Sequence, residues 1–340
     1  MGWWILGILI VFVSMTYPWT RTPYGRLDYR VALSLRLLTF NINIKPNPAT
    51  KTKILMPLNL VYPLSALLPK EKEAQVEDTR IPGSADSILI HTYWPEAKES
   101  LKSPAPLIVF FHGGGFVTGS VPIYDAEARS IARATNCIVI SVEYRLAPTF
   151  PYPAAVEDCY TALCWAKENA ERLGADPSRL IVAGDSAGGN LATVTALKAK
   201  NEGGPHIVAQ ILFYPVTDMT GKHYPSYDNF VDGYGLTRKF FEQFEQAYLP
   251  NEADRSDPYA SPICADNLGD MPPALIITAG FDPLTDAALA YGKKLEDAGV
   301  AVTYQNYPST IHGFMSIRLF YQRRQAMHKL REFLDQTLHS

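Results

Sequence analysis

The chain has 340 residues, and 47% of them are hydrophobic, which suffices for the core of one large domain or two modest ones. The 31 basic and 34 acidic side chains leave a net charge of −3, which excludes the strongly basic surface typical of nucleic-acid binders. The four cysteines never occur as C-x-x-C, which argues against a zinc or redox site. We therefore predict no metal ion and no nucleic-acid partner.

The first twenty residues carry no charge and have aromatic residues at both ends. A helix over residues 3–19 would be about 26 Å long, just short of the ~30 Å hydrocarbon core of a bilayer. Arg21 and Arg26 follow, and a basic flank is typical of a membrane anchor that leaves the body of the protein cytoplasmic. We predict such an anchor. The alternative is a first helix packed on the following domain, and the missing cleavage site makes a signal peptide a weaker interpretation.

Short apolar segments alternate with helical ones from Ser87 onward. The predicted strands, in chain order, cover residues 87–94, 107–111, 138–142, 180–183, 208–214, 274–279 and 302–307. The predicted helices cover residues 124–135, 154–173, 189–200, 285–298 and 320–337. This alternation predicts βαβ units and an α/β fold, with helices on both faces of a mostly parallel sheet.

Two regions interrupt this alternation. Residues 21–85 contain helical pieces and prolines but few strand signals, and residues 217–262 are far longer than a usual crossover. The second region includes an aromatic helical piece at 240–248. We predict that both regions form a cap over a main domain spanning 86–340. The cap would lie at the carboxyl edge of the sheet, where open α/β sheets bind their ligands.

The sequence Gly-Asp-Ser-Ala-Gly, with Ser186 at its centre, lies between a predicted strand and a predicted helix. A serine on a sharp strand-to-helix turn holds its Oγ clear of the sheet, and the small neighbours relieve the crowding of that turn. The N-terminus of the following helix favours negative charge that develops there. This context predicts that Ser186 is a nucleophile.

A run of three glycines follows His112, directly after the buried strand predicted at 107–111. Glycines let backbone N–H groups approach a ligand without obstruction by a Cβ atom. We predict an oxyanion hole formed by the N–H groups of Gly113, Gly114 and Ala187. The alternative is a phosphate-binding turn, but no G-x-G-x-x-G pattern follows.

A nucleophilic serine needs a base and a carboxylate that orients the base. Of the seven histidines, His312 lies in a loop after the strand predicted at 302–307, where it could reach Ser186. Asp282 lies in the loop after the strand at 274–279, whereas Asp286 belongs to the next helix. We favour Asp282 as the acid, although an Asp-Pro pair is also typical of a helix start. The order Ser, Asp, His is that of α/β-hydrolases.

With these motifs the chain resembles the hormone-sensitive lipase family of esterases, also called bacterial family IV, and the arylacetamide deacetylases. The matching elements cover about residues 87–337 and comprise His-Gly-Gly-Gly-Phe at 112–116, Tyr-Arg-Leu-Ala-Pro at 144–148, Pro-Ala-Ala at 153–155 with Asp158, Gly-Asp-Ser-Ala-Gly-Gly-Asn at 184–190, Asp-Pro-Leu at 282–284 and His-Gly-Phe at 312–314. The resemblance implies an α/β-hydrolase fold with an eight-stranded, mostly parallel sheet. It also implies a cofactor-free carboxylesterase for short- to medium-chain acyl esters, with an N-terminal cap and with Asp282 as the catalytic acid.

Three other functions stay open on the sequence. The same triad hydrolyses amides, so an amidase or deacetylase is one alternative, and the N-terminal segment allows a membrane-linked lipid hydrolase. A non-catalytic ligand receptor on this scaffold, as in plant gibberellin receptors, would lack the histidine that this chain has at His312. The natural substrate, the stereopreference and the oligomeric state are also open, and a homodimer is compatible with the sequence.

Overall fold

The computed structural model describes residues 17–40, 75–98 and 103–339. Its centre is an eight-stranded sheet. The strands are β3 (Val76–Ile81), β4 (Ile88–Tyr93), β5 (Ala105–Phe111), β6 (Ile138–Glu143), β7 (Ala175–Asp185), β8 (Ala209–Phe213), β9 (Ala274–Phe281) and β10 (Val302–Ile311). Their spatial order in the sheet is β10-β9-β8-β7-β5-β6-β4-β3. The first six strands of this order are parallel to one another, and β4 and β3 are antiparallel to their neighbours. The predicted mostly parallel sheet is confirmed. A small ribbon of β1 (Arg21–Thr22) and β2 (Gly25–Arg26) lies apart from it.

Helices cover both faces of the sheet, because its central strands are apolar on both sides. In β5, Leu107, Val109 and Phe111 join the core on one face, while Ile108 and Phe110 join the core on the other. The described helices are α1 (Tyr29–Phe40), α2 (Val121–Thr135), α3 (Ala154–Leu173), α4 (Ala187–Glu202), α5 (Pro225–Phe230), α6 (Arg238–Tyr248), α7 (Thr285–Asp297) and α8 (Tyr321–His339). Helices α3, α4 and α7 bury apolar side chains in the first core, and α1, α2 and α8 do so in the second.

The prediction that residues 21–85 belong to a cap is wrong for the end of that range. Residues 76–81 form β3, the outermost strand of the sheet, which pairs with β4. This strand was hard to recognise because Glu77, Asp78 and Arg80 are exposed, as is usual at a sheet edge. Residues 41–74 lie outside the described residues, and the cap prediction for them is untested.

The insertion predicted at 217–262 contains α5 and α6 and lies between β8 and β9. Helix α6 begins after Thr237, whose side chain accepts a hydrogen bond from the N–H of Phe240. The helix is anchored to the main domain through Tyr248, whose ring stacks on Phe116 with centroids 3.8 Å apart. The insertion thereby reaches the loop that follows β5.

In residues 17–40, 75–98 and 103–339, no helix is both long and apolar enough to cross a membrane. The anchor predicted at 3–19 lies almost entirely outside these residues.

Candidate active site

Ser186 occupies a sharp turn between the end of β7 and the start of α4. Its φ is 55°, in the left-handed region that a residue with a side chain rarely adopts. The turn fits only because its neighbours are small: a Cβ at Gly184 would collide with the carbonyl of Gly188, and a Cβ at Gly188 would collide with the carbonyl of Phe111. The serine N–H donates to the carbonyl of Phe213 at 2.8 Å, which ties the turn to β8. A strained conformation held in this way presents the hydroxyl in one orientation.

The structure brings Ser186 together with the predicted base and acid. His312 follows β10 directly, and its Nε2 lies 2.9 Å from the Oγ of Ser186. Its Nδ1 lies 2.8 Å from Oδ2 of Asp282, which lies in the loop after β9 and is fully buried. The other oxygen of Asp282 accepts the N–H of Leu284 at 2.9 Å. The carboxylate assigns the ring proton to Nδ1, so that Nε2 is free to accept the serine proton.

Asp286, the less favoured acid, has a different position. Its Oδ2 accepts the N–H of Ser226 at 2.8 Å, and its own N–H donates to the Oγ of that serine at 3.2 Å. Because Ser226 belongs to α5, this pair of hydrogen bonds joins the inserted segment to α7. The structure therefore joins Asp286 to the inserted segment rather than to His312.

The structure contradicts the prediction that Gly113 is an oxyanion donor. The N–H of Gly113 donates to Oδ1 of Asp185 at 2.6 Å and is not available to a substrate. Gly114 and Gly115 line the active-site cavity instead, with φ values of 120° and 62° that favour glycine. Ala187 is the first residue of α4, directly after Ser186, where helix N–H groups have no partner within the helix.

His112 is fully buried next to the glycine loop at 113–115. Burial lowers its pKa to about 4, so the ring is neutral at ordinary pH. Its Nδ1 lies 2.8 Å from the carbonyl of Gly113, and its ring stacks on Tyr144 at 4.3 Å. The hydroxyl of Tyr144 donates to the His112 carbonyl at 2.7 Å. Tyr144 was not among the predicted site residues, although the motif at 144–148 could have indicated it.

A cavity of about 170 Å³ opens beside Ser186. Apolar side chains from α1, from the loop after β8 and from the inserted segment form one wall of it: Leu35, Val216, Met219, Leu236, Phe240, Phe241 and Phe244. Glu245 is the charged exception on this wall, and it pairs with Arg255 at 3.0 Å. The cavity therefore offers an apolar chain a place directly beside Ser186.

Comparisons with known proteins identify relatives of this chain. The model of a family described as having the α/β hydrolase fold matches residues 108–316. The chain is 42% identical over 249 residues to an esterase, LipI, of Mycobacterium tuberculosis, a match that covers 73% of this chain and 77% of that protein. It is 37% identical to an ethyl acetate hydrolase of Pseudomonas putida, over 75% of this chain and 86% of the other. A hyperthermophilic esterase from the archaeon Pyrobaculum calidifontis superposes with a TM-score of 0.84 at 34% identity, over 92% of this chain and 99% of that one.

Proposed function

The chain belongs to the hormone-sensitive lipase family of α/β-hydrolases, and on that premise we propose that it hydrolyses short- to medium-chain carboxylic esters with Ser186, Asp282 and His312 as its catalytic triad. The observation that carries this proposal is the continuous chain of hydrogen bonds through the three side chains. Nε2 of His312 lies 2.9 Å from the Oγ of Ser186, and its Nδ1 lies 2.8 Å from Oδ2 of Asp282. Because all three side chains are present and hydrogen-bonded, this arrangement favours a hydrolase over a non-catalytic receptor.

The proposed mechanism begins when the Oγ of Ser186 attacks the ester carbonyl while Nε2 of His312 takes its proton. The oxyanion is held by the N–H groups of Gly114, Gly115 and Ala187. His312 then protonates the leaving alcohol, and a water molecule attacks the acyl-enzyme by the same route. Asp282 keeps the imidazole in the correct tautomer and stabilises its charged form.

The first experiment replaces the nucleophile. We expect Ser186→Ala to abolish hydrolysis of p-nitrophenyl butyrate, since the acyl-enzyme could no longer form. Circular dichroism and a thermal melt would check that the variant is folded. Turnover at the wild-type rate in the folded variant would reject the triad. The corresponding p-nitroanilide, measured with the wild-type protein, compares ester with amide as the preferred substrate.

The apolar wall of the cavity supports an acyl group as the part of the substrate that it binds. Each added methylene buried against Phe240 or Phe244 stabilises the complex until the cavity is filled. We expect kcat/KM for p-nitrophenyl esters to rise from acetate to a medium chain length and then to fall. A steady rise up to palmitate would contradict this assignment.

We also propose that the N-terminal segment associates with a membrane surface. At the beginning of the described chain, Tyr17 and Trp19 are exposed, and Arg21 and Arg26 lie over the Tyr17 ring at 5.7 Å. Aromatic and basic groups together favour the interface of an anionic bilayer. We expect the full chain to sediment with phosphatidylserine vesicles and a chain lacking residues 1–16 to stay in the supernatant. A full chain that stays in the supernatant would overturn this proposal.

A homodimer is our proposal for assembly. In the described part of the chain β10 pairs only with β9, and an edge strand is a natural template for pairing with another chain. Light scattering coupled to size-exclusion chromatography would give the mass in solution. A mass of one chain at micromolar concentration would contradict the proposal.

A further inference from the structure

Two buried carboxylic acids lie beside the triad without belonging to it. Asp185 immediately precedes Ser186 and is 2% exposed, and Glu127 on α2 is 4% exposed. A buried carboxyl group lowers the stability of the fold unless hydrogen bonds satisfy it. Two such groups beside a reaction centre therefore require an explanation. The triad mechanism uses neither group.

Asp185 joins the nucleophile turn to the oxyanion loop. Its Oδ1 accepts the N–H of Gly113 at 2.6 Å, although the two residues are 72 positions apart in sequence. Its Oδ2 accepts the hydroxyl of Tyr124 at 3.3 Å. The hydrogen bond to Gly113 turns that N–H away from the substrate and fixes the backbone immediately before Gly114.

Glu127 joins the same region to the loop that carries the base. It lies three residues after Tyr124, on the same face of α2. Its Oε2 accepts the hydroxyl of Ser316 at 2.8 Å, four residues after His312, and Ser316 lines the active-site cavity. The other oxygen, Oε1, is buried without a hydrogen-bond partner in the part of the chain that the structure describes.

We propose that Glu127 and Asp185 are positioning residues, an acid pair that holds the oxyanion loop, the nucleophile turn and the histidine loop in register for hydrolysis. The proposal rests on the proposed esterase function, because it assigns a role in the same site. The three loops follow three different strands, β5, β7 and β10. Asp185 joins the first two through Gly113, and Glu127 joins the third to α2 through Ser316. Tyr124, one turn before Glu127 on α2, connects the two halves by its hydrogen bond to Asp185.

The electrostatics of the pair add a readout. Burial raises the pKa of both carboxyl groups, and the charge of Glu127 raises that of Asp185 further. The hydrogen bond from Ser316 and the charge of Arg323 on α8 lower the pKa of Glu127. The hydrogen bonds from Gly113 and Tyr124 lower the pKa of Asp185. As the pH rises, the second carboxyl must ionise beside the first, and their repulsion would displace the loops that they hold.

The test compares Glu127→Ala, which removes the link to Ser316, with Glu127→Gln, which keeps an acceptor but removes the charge. We expect Glu127→Ala to lower kcat on p-nitrophenyl butyrate by about 10- to 100-fold with little change in KM, because loop displacement costs orientation rather than binding. Glu127→Gln should recover much of the loss, and its alkaline limb of kcat should move to higher pH. Asp125→Asn, on the same helix in a half-buried ion pair with Arg129, serves as the matched control.

Ser316→Ala covers the case in which the Glu127 variants fail to fold, because it removes only one hydroxyl from a half-buried side chain. Its effect on kcat should equal that of Glu127→Ala, and the double variant should be no worse than either single one. Equal kcat in Ser316→Ala and the control, or additive losses in the double variant, would overturn the proposal.

Hydrogen–deuterium exchange separates this inference from the esterase function. Glu127→Ala should speed exchange in both residues 113–119 and residues 313–317, whether or not any ester is turned over. Faster exchange confined to 313–317 would contradict a shared role of the pair. Failure of the wild-type protein to react with a phosphonate at Ser186 would instead reject the esterase function.

Discussion

The carboxyl edge of the sheet and the segment at 217–262, which we propose as its cap, are built by different means. At the edge, backbone conformation and hydrogen bonds fix each group: Ser186 by its positive φ, and His312 by Asp282. In the cap, aromatic side chains of α6 such as Phe240 and Phe244 meet the cavity through apolar contact. Directional bonds allow only one arrangement, whereas apolar packing tolerates exchange of similar volumes. We therefore expect the edge to determine the rate and the cap to determine the choice of substrate.

The largest effect should follow at the edge from Asp282→Asn, which keeps the shape but reverses the hydrogen-bonding preference towards Nδ1 of His312. We expect kcat to fall by about 10³- to 10⁴-fold, because the wrong tautomer is stabilised. Steady-state hydrolysis of p-nitrophenyl butyrate measures this. The neighbouring Asp286→Asn is the control, and it should lower kcat far less. Equal losses in the two variants would mean that the edge does not depend on this one bond.

The next effect lies where the two regions meet. A Cβ at Gly115 would collide with the ring of Phe244, and its φ of 62° disfavours a side chain. Gly115→Ala should displace a proposed oxyanion donor and lower kcat by about 10²-fold. Adding Phe244→Ala tests the cause: recovery of activity in the double variant indicates the collision, and no recovery indicates backbone strain. Wild-type kcat in Gly115→Ala would remove Gly115 from the proposed oxyanion hole.

A smaller effect concerns the stability of the edge against acid. The pKa of buried His112 is about 4 in the folded chain and about 6.5 when unfolded, so the unfolded chain binds more protons between these values. Stability that is fully present above pH 6.5 is therefore lost as the pH falls towards 4, by about 2 kcal/mol at pH 5. Urea unfolding at pH 7 and pH 5 measures this for the wild-type protein and for His112→Gln. An unchanged pH dependence in the variant would contradict the assignment.

The smallest effect belongs to the cap. Phe244→Ala widens the cavity, and we expect the preference for a longer acyl chain over butyrate, measured as a ratio of kcat/KM values, to rise about tenfold. Phe150→Ala, which truncates an exposed aromatic ring, is the control and should leave the ratio unchanged. A fall in kcat for every chain length without a change in the ratio would mean that α6 supports the edge rather than selecting the substrate.

The same difference explains what could be read from the sequence. Ser186, Asp282 and His312 could be predicted because each follows a recognisable strand and because their order matches a known pattern. The donor assignment of Gly113 failed because its acceptor, Asp185, comes from a different strand, and spacing along the chain does not reveal such a contact.

Glu127 and the cap were harder to predict for related reasons. A glutamate on an amphipathic helix is ordinarily a surface residue, and only the packed structure shows that Glu127 is buried against the histidine loop. The wall of the cavity is drawn from Leu35, from residues near 216–219 and from α6, regions that are far apart in the chain. Side-chain packing over such separations leaves no short motif.

The edge strand β3 has a consequence for the behaviour of the protein in concentrated solution. Glu77, Asp78 and Arg80 are exposed along it, and Asp78 lies 3.2 Å from His91 on the neighbouring strand. A second sheet that paired with this edge would strip water from these charged side chains. The charges that concealed the strand in the sequence thus act as a barrier to fibrillar aggregation, and they leave the opposite edge as the side on which the sheet could be extended.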